Sequence, residues 1–97
     1  MLHTINQSPF RNNTLSTVLR FVQPGDPVLF MEDGVYALDA RGKFKGDIEK
    51  LLKSNPVYGL GPDLKARGLA TVVDKVQQVD YAGFVDLVEQ HQVNTWL

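Results

Sequence analysis

Two carboxylates and a glycine close the apolar run in VLFMEDGVYAL, residues 28–38, and no other stretch of the chain offers side-chain chemistry so directly. Glu32 and Asp33 follow four apolar residues that read as a buried strand, and in open α/β sheets ligands gather outside the carboxyl ends of the strands. Paired carboxylates at such a mouth would hold a cation, work as acid and base, or repel and orient an anionic partner. The plainer assignment has Asp33 accepting backbone hydrogens across a turn, Glu32 solvated, and Gly34 supplying unusual backbone angles. Phosphate binding is disfavoured, because a phosphate cradle needs glycines and a lysine where this loop has carboxylates.

The remaining reactive groups are scattered. His3 and His91 sit at opposite ends of the sequence, so no local metal-ligand spacing exists. His3 falls in the first strand, where a hydrogen-bonded histidine is the common case and a general base the rarer one. Ser8 and Ser16 have no histidine beside them in sequence to activate a hydroxyl. There is no cysteine, which removes disulfides, thiolate metal sites and thiol chemistry alike. GLGPDLKARG, residues 59–68, begins like a dinucleotide fingerprint, yet Pro62 and Asp63 stand where the third glycine region would open a helix. It reads as a strand-to-helix turn with Arg67 at the surface. Trp96 and Leu97 either close one edge of the core or plug into a partner. No catalytic, cofactor-binding or metal-binding set emerges.

The elements that must position these residues alternate. LHTI, residues 2–5, reads as a first strand, ended by the turn formers NQSP. Asn12 or Asn13 caps a helix whose apolar face is Leu15, Val18, Leu19 and Val22. VLFM, residues 28–31, is apolar without alternation, as a parallel strand covered on both faces requires. Phe44, Ile48, Leu51 and Leu52 mark a second helix stopped at Asn55-Pro56, with Gly46 weakening its first turn. VYGLG, 57–61, reads as a strand. It is followed by a helix with Pro62 at its first position and Gly68 as its C-terminal cap. VQQVDY, 76–81, is the last strand expected, and Phe84, Val85, Leu87 and Val88 mark a closing helix up to about His91, followed by an apolar tail of Val93, Trp96 and Leu97. VYAL, 35–38, fits either a short strand after a turn or a helical turn capped by Asp33. This alternation predicts a three-layer α/β/α sandwich with a mainly parallel sheet of four to five strands.

With 97 residues, 43% of them hydrophobic, the chain suits one domain spanning residues 1–97. A formal net charge of -1 lacks the field that gathers phosphate backbones, so direct nucleic-acid binding is not expected. No apolar stretch approaches the roughly 20 residues of a membrane span, and MLHTINQSPF lacks a signal-peptide pattern, so a cytoplasmic location is expected.

Four separated segments, MLHTINQSPF, VLFMEDGVYAL, YGLGPDLKARGL and VDYAGFVDLVEQHQVNTWL, resemble the TusB/DsrH family of small sulfur-relay proteins, in order and over nearly the whole length. The resemblance implies a three-layer α/β domain and a partner-bound life. Such proteins are similar to one subunit of a heterohexamer with two copies each of three related chains, called TusBCD in tRNA thiolation and DsrEFH in sulfur oxidation. In the Tus system, persulfide sulfur passes from a cysteine desulfurase through TusA to TusD, then via TusE to the enzyme that makes 2-thiouridine at the tRNA wobble position. The implied partners are therefore TusC-like and TusD-like subunits, with TusA- and TusE-like carriers acting indirectly. Some DsrH-type members carry a cysteine on the first helix, at the position of Val18 in STVLRF here. A chain without a thiolate cannot hold a persulfide, so the resemblance implies a non-catalytic subunit and favours the TusB branch, the alternatives being a DsrH-like subunit of a DsrEFH complex and an independent small-ligand-binding module. His3, Glu32, Asp33, Trp96 and Leu97 are then the candidate partner interface.

Overall fold

A computed structural model describes residues 1–96; Leu97 lies outside them. Five strands, β1 (Leu2–Ile5), β2 (Val28–Phe30), β3 (Val57–Leu60), β4 (Gln77–Val79) and β5 (Val93–Trp96), form one sheet in the order β4-β3-β2-β1-β5. Every pair in it is parallel. The crossovers carry α1 (Thr14–Phe21), a 3-10 segment (Glu32–Leu38) with α2 (Lys45–Leu52), α3 (Gly61–Ala66), and α4 (Tyr81–Gln90). The α/β class with a mainly parallel sheet is as the alternation predicted.

Register divides the side chains between two layers. His3 pairs with Val28 and Ile5 with Phe30, and β2 continues into β3 through Val28 opposite Val57. Ile5, Val28, Phe30 and Val57 belong to the principal core, together with Leu15 and Val18 of α1, Ile48 and Leu51 of α2, and Leu64 of α3. Leu2, Leu29 and Leu60 alternate to the opposite face and are buried there, outside that cluster. The chain steps β1 to β4 in one direction and then returns past the whole sheet to β5. Right-handed crossovers therefore put α1, α2 and α3 on one face and α4 on the other.

Three local details differ from the sequence reading. VYAL is helical, as part of the 3-10 segment, but the capping position is Met31 and Asp33 makes no capping bond. The left-handed residue of the corner is Glu32, at φ 49°, whereas positive φ among the glycines is confined to Gly25 and Gly68. Gly34 is required for a different reason: a Cβ there would strike the carbonyl oxygen of Ile5 in the neighbouring strand. Finally, the expected apolar tail is a fifth strand, paired with β1 from Leu2 opposite Val93 to Ile5 opposite Trp96.

Candidate functional site

The structure separates the sequence-predicted residues into two groups. One surrounds His3, whose residue is 5% exposed. The His3 amide donates to the carbonyl of Pro27, which sets the imidazole beside Asp26 in the turn before β2. Nε2 lies 3.0 Å from Asp26 Oδ2, and the indole Nε1–H of Trp96 donates to Nδ1 at 3.0 Å. Since Nδ1 accepts, the proton of a neutral ring sits on Nε2 and is donated to Asp26. Asp26 is the hub of this group. Its Oδ1 lies 3.2 Å from the amino group of Met1, and the Gln23 amide donates to Oδ2, the oxygen that faces His3. Asn55 secures the same turn from below, its Nδ2 donating to the carbonyls of Gln23 and Asp26.

The His3 hydrogen bond holds the Asp26 carboxyl below its ordinary value of 3.8, aided by the terminal amino group and opposed by partial burial. A depressed folded value means that the carboxylate stabilises the fold above pH 3.8. That contribution is lost as pH falls through the folded value. Asp26→Asn is therefore expected to cost about 1 kcal/mol at neutral pH and progressively less below the ordinary value, as read by urea unfolding at pH 7 and pH 3. Equal losses at both pH values would show that shape rather than charge holds the turn.

The second group lies at the carboxyl ends of β2 and β3. Asp33 accepts from Arg67 Nε at 3.0 Å, and Arg67 Nη2 lies 3.0 Å from the same oxygen. Asp63 of α3 accepts from the Glu32 amide at 2.6 Å and lies 3.8 Å from Arg67 Nη1. Arg67 thus clamps the 3-10 segment onto α3, and the strained backbone of Glu32 is paid back by a carboxylate on its amide. The Glu32 side chain itself is exposed. Arg67 is more engaged than its place at the end of a short surface helix suggested.

No hydrogen bond or ion pair joins the two groups among the described residues. His3 and Trp96 belong to an internal lock, Glu32 and Asp33 to a surface clamp, and Leu97 falls outside the described residues. The roles of Asp26 and Asp63 carry no local sequence signal, because His3 and Glu32, their partners, lie far from them along the chain. The cleft lined by Gly61, Pro62, Gln78, Val79, Asp80 and Gly83, at the mouths of β3 and β4, has the Asp80 carboxylate as its single charge, and that group caps α4 by accepting from the Gly83 amide at 2.8 Å. It offers nothing to a phosphate. Among the described residues no three His, Asp or Glu side chains approach one another as a metal site requires, and no helix is long and apolar enough to cross a membrane.

The comparisons with known proteins identify the family. Protein TusB of Erwinia tasmaniensis is 43% identical over 101 residues, covering 99% of this chain and all of that one. Protein TusB of Klebsiella pneumoniae is 38% identical over 94 residues, covering 94% of each. Among solved structures, that of the ychN protein from E. coli superposes with a TM-score of 0.76 over 98% of this chain and 97% of its own, at 16% sequence identity, which is a likeness of fold. The model of the family described as DsrH like protein matches residues 7–94, and with relatives this similar over nearly their full length the chain belongs to the DsrH-like family.

Proposed function

We propose that this chain is a non-catalytic subunit of a sulfur-relay complex of the TusBCD type, cytoplasmic, acting in 2-thiouridine formation at the tRNA wobble position. The observation that carries this reading is the conjunction of family membership with a sequence that has no cysteine. Sulfur relay proceeds through persulfides, and a persulfide forms on a thiolate. Val18, the position at which some DsrH-type proteins have cysteine, is fully buried in the core here, a packing residue of α1. The chain's contribution is then to hold TusC-like and TusD-like subunits, which supply the sulfur-bearing cysteines and meet TusA- and TusE-like carriers.

The formal charge of -1 suits a component that leaves tRNA contact to others. A role in a DsrEFH-type complex of sulfur oxidation is the second reading, favoured by the matched family's own description. Neighbouring sulfite-reductase genes would mark it.

Co-expression with the TusC-like and TusD-like chains of the same organism, followed by size exclusion and native mass measurement, is expected to yield one species containing all three chains in equal number. A chain that elutes as a monomer beside an assembled pair of the other two overturns the proposal.

A further inference from the structure

Helix α4 is sparsely covered along its whole length. It caps on Asp80, runs ten residues, and buries none of them fully. Its half-buried Phe84 and Leu87 face inward, while Tyr81, Val85 and Val88, spaced four and three apart, form one outward stripe. Tyr81 is 60% exposed and Val85 49%, values suited to polar residues on a finished surface. On the same face of the sheet, β5 presents Val93, 42% exposed.

Charge adds direction to this apolar surface. All ten Lys and Arg residues of the chain lie at or before Lys75, and from residue 76 onward the charged side chains are Asp80, Asp86 and Glu89. Asp86 and Glu89, both exposed, interleave with the apolar stripe on α4. Two copies of this face brought together would set carboxylate against carboxylate, which disfavours a symmetric dimer through α4. A different protein with an apolar centre and a lysine or arginine rim would match both features at once. A stable interface removes about 800 Å² from each partner, more than a 15 Å helix stripe provides, so the contact must extend onto β5.

We infer that the outer face of α4, continued by Val93 of β5, is the surface through which this chain docks a heterologous protein partner whose facing patch is apolar and rimmed by basic side chains. The inference rests on the subunit reading above and places the contact away from the acidic corner at Glu32 and Asp33.

The test uses the three-chain co-expression with variants of this chain: Val85→Asp, the double variant Asp86→Lys with Glu89→Lys, and Phe21→Asp as a control. Phe21 is 59% exposed on α1, on the opposite face of the sheet. All four positions are exposed, so each variant should fold, checked by circular dichroism and thermal midpoint. Val85→Asp is expected to weaken association tenfold or more. The double variant should weaken it several-fold at low salt, with the gap to wild type closing near about 0.5 M salt. Phe21→Asp should associate normally. If wild type assembles and Val85→Asp assembles as well as it does, the docking surface is overturned while the subunit reading stands. If wild type never assembles, the subunit reading fails and takes this inference with it. Self-association of the isolated chain that Val85→Asp abolishes would assign the face to a second copy and overturn the heterologous partner.

Discussion

Gly34→Ala is expected to cost about 3 kcal/mol or more, a large share of the roughly 5–15 kcal/mol that holds a domain folded. The added methyl group would fall on the backbone carbonyl oxygen of Ile5, and its carbon lies 3.0 Å away. That carbonyl has no freedom to retreat, because it accepts from the Met31 amide at 2.9 Å and belongs to a strand paired on both sides. The 3-10 segment would have to lift instead. Val35, Ala37 and Leu38, all buried beneath it, would lift too, and the Arg67 clamp between Asp33 and α3 would be disturbed. Urea unfolding compared with Gly46→Ala isolates the cause. A Cβ at Gly46 meets nothing within 4 Å and lies in α2, so that change should be neutral or mildly stabilising. Equal midpoints for the two variants would mean that the corner yields without cost.

Trp96→Ala should cost about 2–4 kcal/mol and release β5 from the sheet ahead of global unfolding. The indole packs against the principal core, its ring centroid lies 6.0 Å from that of His3, and its N–H donates to His3 Nδ1. Removing it deletes the side chain that fastens an edge strand and leaves a buried nitrogen without its donor. Trp96→Phe separates the two effects: it keeps most of the apolar contact and loses the donor, at about 1–2 kcal/mol. Hydrogen exchange should show lost protection in Val93–Trp96 while β2 and β3 stay protected. Unchanged exchange in β5 would show that the backbone ladder alone holds that edge.

Elements whose signals are local were legible in the sequence. The strand 28–31 announced itself by an unbroken apolar run, and the helices around Val18 and Ile48 by three-and-four spacing, because each signal is complete within one turn or one strand. Gly68 as a helix terminator was equally readable, and it does adopt a left-handed φ of 68°. What stayed hidden depends on register between distant segments. VNTW has no clean alternation of apolar and polar residues, and nothing in those four positions says that their partner is LHTI at the other end of the chain. The same distance concealed Asp26, which meets His3 only once β1 and β2 lie side by side, and Asp63, which meets the Glu32 amide only once α3 folds over the corner. His3 makes no bond with Glu32 or Asp33 because sharing a sheet does not place side chains at the same height along it. Residue type alone puts the left-handed backbone at Gly34, because glycine is the usual left-handed residue, and here the Glu32 amide's hydrogen bond to Asp63 overrides that preference.

The pairing of β1 with β5 also bears on how the chain leaves the ribosome. At roughly 5–20 residues per second, β1 emerges several seconds before the strand that will flank it has been translated. Through that interval four strands can assemble while the row of amides and carbonyls along Leu2–Ile5 stays bare, a template for any extended peptide nearby. Completion of the sheet therefore waits on Val93–Trp96, and a nascent chain stalled before Val93 would expose a sticky, half-built sheet.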